Sequence, residues 1–200
     1  MSASDAFGLS GCGLLGLAAI ANLIPLRRFP VRVRYAVVLA AAFAFLIPIG
    51  DLSIAACVRG VTGDLSAATL VLAGAACFTQ VTGRTLIGHR DKQALCWFVA
   101  FAAAFLYPFA LGWTRFDPYA LGYGSIEFLT ALLLIALAAW RARLHIVVLV
   151  VIAAALAYLA GAYESRNLWD YLIDPLASVY ALVRLLPPRT VLRQPASRSP

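Results

Sequence analysis

LHIVVLVVIAAALAYLAGAY, residues 144–163, carries only His145 and two tyrosines as polar or ionisable groups over twenty positions. At 1.5 Å per residue, a helix over this stretch spans about 30 Å, the thickness of a bilayer's hydrocarbon core. It has no polar face to turn toward water, so lipid is its solvent. Inside lipid every backbone N–H and C=O must find a partner within the protein, which leaves helices or closed barrels. A long unbroken apolar run, rather than short alternating ones, selects the helix.

Working outward, the same kind of run recurs along the chain. The spacing predicts spans at about 7–26, 35–50, 65–81, 94–113, 125–140 and 144–163. A last segment, 168–186, is interrupted by Asp170, Asp174 and Pro175. The predicted fold class is therefore all-α: a polytopic transmembrane helical bundle with six spans plus a seventh at the C-terminus. An interfacial amphipathic helix is the alternative for that last segment. Residues 1–188 read as a single helical domain, and 189–200 as a flexible, basic, proline-containing tail. No internal repeat or linker is visible.

Composition agrees. Hydrophobic residues make up 63% of the 200 positions, charged residues 12%, and the mean hydropathy is +0.89. A soluble domain carries about 25% charged residues, because its surface must face water. The formal net charge of +7 sits in short clusters between apolar runs, as topology-setting residues do, so nucleic-acid binding is not indicated. Arginine is nearly the sole basic residue, with Lys92 the single lysine, and alanine is abundant. That bias fits a GC-rich bacterial genome and a bacterial plasma (inner) membrane.

Cys12, Cys57, Cys77 and Cys96 are widely spaced without a CxxC pair, so they read as small buried hydrophobes rather than as a zinc or redox site. Leu9-Ser10-Gly11-Cys12 fits a lipobox, but residues 1–8 lack the positive and apolar regions of a signal peptide. No cofactor or metal is implied.

The loops set the orientation. Arg27, Arg28, Arg32 and Arg34 lie between spans one and two; Arg84, Arg90 and Lys92 between three and four; Arg141 and Arg143 between five and six. Cytoplasmic loops are enriched in Arg and Lys, so these nine residues face the cytoplasm and the N-terminus lies outside. Only Arg59, Arg115 and Arg166 lie opposite. Arg184, Arg189, Arg193 and Arg198 join the cytoplasmic set if the last segment crosses, which favours a seventh span and a cytoplasmic C-terminus.

This orientation sorts the acids. Asp5, Asp51, Asp64, Asp117, Glu127, Glu164, Asp170 and Asp174 fall outside, and only Asp91 inside. Asp174-Pro175 and Asp117-Pro118 each read as an N-cap followed by proline at the first helical position. Asp64 and Asp51 also stand where a cap is needed. Glu127 sits about one turn inside the fifth predicted span, where an ionisable group is a functional candidate by default. Arg166 and Asp170 are four apart, as are Asp170 and Asp174, so one continuous helix would put all three on one face. The candidate outer-face cluster is thus Glu127, Glu164, Arg166, Asp170, Asp174, Arg59 and Arg115. Two carboxylates alone make a poor metal site.

Other patterns lead nowhere. Gly122-Tyr123-Gly124 lacks the preceding residues and pore helix of a potassium filter. His89 and His145 stand at span ends without HExxH spacing, and no phosphate loop or nucleophile elbow appears. Two small-residue rows, Gly8/Cys12/Gly16 and Ala153/Ala157/Gly161, would let helices approach closely, within the bundle or against another membrane protein.

Three functions compete on these grounds. The first is a non-catalytic subunit or assembly partner of a membrane complex. The second is a small transporter using the outer carboxylates. The third is an intramembrane enzyme that holds a lipid-linked phosphate with Arg59, Arg115 and Arg166 and uses Asp170 or Glu164 as general base.

Overall fold

The computed structural model describes residues 3–24, 26–50, 52–112 and 116–186. It is all-α apart from one two-residue hairpin, and the described residues form nine α-helices. They are α1 (Ala3–Leu23), α2 (Val31–Leu46), α3 (Ile54–Thr62), α4 (Ala67–Thr82), α5 (His89–Ala110), α6 (Ile126–Arg141), α7 (His145–Leu159), α8 (Leu168–Leu172) and α9 (Pro175–Leu185). The antiparallel hairpin pairs β1 (Pro48–Ile49) with β2 (Leu52–Ser53), between α2 and α3.

Each of the six long apolar runs holds a helix, with ends shifted by a few residues. Two helices, Ser4–Leu23 and His89–Ala110, are long and apolar enough to cross a bilayer by length and composition. Helices α2, α4, α6 and α7 have 15 or 16 residues. At 1.5 Å per residue that is about 23–24 Å, short of a hydrocarbon core of about 30 Å.

The segment 168–186 is not one helix. Asn167 caps α8, Ile173 is extended, and Asp174 caps α9 with Pro175 at its first position. Proline cannot donate an N–H and clashes with the preceding turn, so the chain stops and restarts there. Helix α9 then packs along α5: Tyr180 lies under the Lys92 ammonium, 5.5 Å from ring centroid to Nζ.

The main core joins α4 to α9. Leu95, Val99, Leu106, Leu132, Val150, Trp169, Tyr171 and Leu172 are all buried in it. A smaller cluster, Ala18 with Ala73 and Cys77, joins α1 to α4. Cys12, Cys77 and Cys96 are buried as small apolar side chains, whereas Cys57 is exposed.

The Gly8/Cys12/Gly16 row is consumed within the chain. A Cβ at Gly8 would stand 2.5 Å from an Asp64 carboxylate oxygen, and one at Gly16 would stand 2.1 Å from the Phe45 ring. Helix α1 therefore presses this row against α2 and the end of α3. In the second row Ala153 and Ala157 pack on the main core, while Gly161 follows the end of α7 at φ +61, a left-handed conformation that glycine adopts without strain.

The arginine-bearing loops meet at one end of the bundle. Arg34 Nη1 donates to the Val81 carbonyl at 3.4 Å, and Arg90 Nη2 to the Ala142 carbonyl at 3.2 Å. Arg184, in the last turn of α9, borders the same cavity as His89 and Lys92. Helix α9 thus starts beside α4's first turn and ends at the basic end.

Candidate functional site

The acidic end is built from three separate constellations rather than one. The first centres on Asp174, only 5% exposed. Its Oδ1 accepts from the Ala177 N–H at 2.7 Å, the capping bond of α9, and from the Thr69 hydroxyl at 2.8 Å. Its Oδ2 accepts from the Ser66 N–H at 2.8 Å. Ser66 in turn caps α4 through the Thr69 N–H. One carboxyl group therefore satisfies orphan donors at two helix N-termini, 108 residues apart in sequence for the Ser66 bond.

The second constellation locks α8 to a 3-10 turn over Pro118–Gly122. Asn167, fully buried, accepts from the Trp169 N–H and donates from Nδ2 to the Tyr119 carbonyl at 2.8 Å. The Trp169 indole N–H donates to the Pro118 carbonyl at 2.9 Å, and its ring lies against Phe128 at 4.3 Å between centroids. Asp170 accepts from the Tyr119 hydroxyl at 2.9 Å and from the Ser165 hydroxyl. Burial, and then the adjoining Asp170 carboxyl, push the Tyr119 phenol well above its usual range, which keeps it a donor. Gly122 makes this contact feasible: a Cβ there would fall 1.8 Å from Asn167 Oδ1. Tyr171 closes the turn before α8 by donating to the Ser165 carbonyl at 2.9 Å. Tyr163 donates through its hydroxyl to the Leu65 carbonyl.

The third is an ion-pair cluster at the start of α1. Arg59 Nε and Nη2 donate to the two Asp64 oxygens at 2.7 and 3.3 Å, and Nη1 donates to Asp5 at 3.0 Å. Hydrogen bonding to Asp64, and then to Asp5, raises the guanidinium pKa above its ordinary value.

Several sequence expectations change. Glu127 is the second residue of α6, in its first turn and exposed, behind the Ser125 N-cap. Arg166 precedes α8, so it shares no helix face with Asp170, and it is exposed. Asp170 and Asp174 belong to different helices and different hydrogen-bond networks, because Ile173 is extended between them. Glu164 is exposed. Asp64 does not cap α4; Ser66 does, and Asp64 holds Arg59 instead. The caps at Asp174 and Asp117 are as expected, the latter on the 3-10 turn. Arg115 and Asp51 lie outside the described residues. Among the described residues, no three His, Cys, Asp or Glu side chains gather as metal ligands would.

Two cavities went unforeseen. One, about 720 Å³, is a groove between α1, α4 and α9, lined by six alanines and by Leu15, Leu72 and Leu176. Asn22, Gln80, Thr85 and Lys92 sit toward its basic end. The other, about 160 Å³, is bordered by His89, Lys92, Gln93, Cys96 and Arg184. Lys92 belongs to both. The only sequence signal was the isolated lysine itself.

No protein-family model, curated protein or solved structure matches this chain.

Proposed function

We propose that the chain is a seven-span protein of a bacterial plasma membrane, N-terminus outside and C-terminus cytoplasmic, acting as a non-catalytic subunit or assembly partner. One observation carries the functional part: the acidic end's polar side chains are already committed to joining the chain's own elements. Asp174 ties α9 to α4, Asp170 ties α8 to Tyr119, and Arg59 is taken up by Asp5 and Asp64. Glu127, Glu164 and Arg166, which are not so committed, are exposed. An enzyme needs a nucleophile or base within hydrogen-bond reach of its partners, and a transporter needs polar groups lining a path.

The outward surface supports the membrane part. On α2, Val31, Tyr35, Leu39 and Phe43 form a row every fourth residue, each 50–70% exposed. On α6, Ile126, Leu133 and Trp140, seven apart, line one face with Leu134 beside them, at 58–69% exposed. Apolar surface this continuous does not face water in a soluble monomer. The course of α9 toward the basic end supports a seventh crossing.

The test is purification of the full chain from its native membranes in mild detergent, followed by native mass spectrometry. A stable complex with another membrane protein is expected. A monomer that catalyses flux in proteoliposomes, with that flux lost in Glu127→Gln, would replace this reading with a transporter. A C-terminal reporter active only in the cytoplasm checks the seventh span.

A further inference from the structure

We propose that the groove between α1, α4 and α9, together with the small basic cavity beside it, is a binding site for one anionic phospholipid of the bilayer. The two cavities differ in the way the two ends of such a lipid differ. The groove runs beside α4 from Thr69 to Gln80, about 16 Å at 1.5 Å per residue. Its width comes from side-chain size: Ala18, Ala19, Ala73, Ala75, Ala76 and Ala177 leave room where larger residues would fill it. An acyl chain fits this stretch of the groove, because its wall is mostly alanine and leucine and the Thr69 and Thr79 hydroxyls are already bonded, to Asp174 and the Ala75 carbonyl.

At the basic end the chemistry changes in the order a phospholipid requires. Gln80 donates to Asn22 at 3.0 Å, Asn22 donates to the Ala18 carbonyl, and Thr85 lies beside them; the second N–H of each amide and the Thr85 hydroxyl can donate to ester oxygens. Lys92 comes next, at the border of both cavities, held over the Tyr180 ring. Beyond it Arg184 and His89 flank the smaller cavity. Ammonium and guanidinium together favour a phosphate through charge-assisted hydrogen bonds. Asp91, the acidic residue at this end, lines neither cavity. The site rests on the chain being membrane-embedded, but not on its being a subunit of a complex.

The experiment is native mass spectrometry of the full chain in mild detergent, titrated with phosphatidylglycerol and, separately, phosphatidylcholine. Wild type should retain one phosphatidylglycerol about tenfold more tightly than phosphatidylcholine. Lys92→Gln with Arg184→Gln should abolish that preference while weaker, headgroup-blind retention persists. Ala19→Phe, which fills the groove from an exposed position, should abolish retention of both lipids. Circular dichroism of each variant confirms that the helices remain. Equal retention of the two lipids by wild type overturns the proposal, as does unchanged phosphatidylglycerol preference in the double variant. If Ala19→Phe leaves lipid bound but strips a partner protein, the groove is a helix-docking site and the proposal fails. Absence of any partner protein bears only on the subunit reading.

Discussion

Asp174 and Asp64 both stand at the acidic end, and both were expected to cap a helix, yet the structure uses them in opposite ways. Asp174 is buried and meets three neutral donors from α4 and α9. Asp64 is partly exposed and meets one cation, Arg59, on the neighbouring α3. Location decides the difference. A buried carboxyl group that satisfies helix-end donors replaces water that cannot reach them, so removing it leaves those donors unpaired. A partly exposed ion pair competes with water that is already present. The first holds the main core together, and the second only trims the edge of α1.

The largest effect should therefore follow Asp174→Ala. It removes the cap of α9 and leaves the Ser66 N–H and Thr69 hydroxyl without an acceptor. The expected loss is about 3–5 kcal/mol, combining an N-cap with two buried donors. Unfolding of the purified protein in mixed micelles measures it. Asp174→Asn should not rescue fully, since its amide nitrogen would meet a donor on one side. If Asp174→Ala costs no more than an exposed cap, the contrast collapses.

Gly122→Ala comes second and tests the neighbouring knot. The new methyl would overlap Asn167 and the Trp169 ring, so the 3-10 turn must separate from α8. Overpacking of this kind costs about 1–3 kcal/mol. Loosening should also show as red-shifted Trp169 fluorescence, measured after replacing the other tryptophans.

How much of this was legible beforehand depends on the range of each interaction. The helices follow from apolar runs, and the Asp174 and Asp117 caps from local Asp-Pro pairs, so both could be read off neighbouring residues. That Asp174 reaches Ser66 could not, because the partners lie 108 positions apart. The position of Glu127 in the first turn is local too. Ser125, two positions before it, is a cap signal, which makes Glu127 a first-turn acid facing the helix dipole. The break at Ile173 hid the separation of Asp170 from Asp174, since helical spacing applies only where one helix continues. The alanine-lined groove is a void among three helices, and periodicity within any one of them carries no trace of it.

Third in size is Arg59→Gln. Its side chain is 20% exposed, against 36% and 23% for Asp5 and Asp64. With solvent screening, the expected loss is about 0.5–1 kcal/mol. High salt should shrink the wild-type advantage, whereas the Asp174 effect should hardly change. Denaturation at low and high ionic strength separates the two. A salt-insensitive loss above about 2 kcal/mol would place Arg59 among the buried contacts.

The smallest effects belong to Glu127→Gln and Glu164→Gln, and they probe the comparison from its far side. Both residues are exposed. Surface substitutions of this kind stay within about 0.5 kcal/mol, with Glu127 at the upper limit because its charge favours the N-terminus of α6. Stability near wild type is thus the expected result for each. The informative readout is then activity in cells, since a residue that contributes nothing to folding has no structural reason to be intolerant of change. If Glu127→Gln folds and assembles normally but abolishes cellular function, the working group is an exposed helix-end carboxylate rather than any of the buried ones. The buried carboxyl groups would then be scaffold for that position, and the subunit reading would give way to one in which this end of α6 meets a ligand.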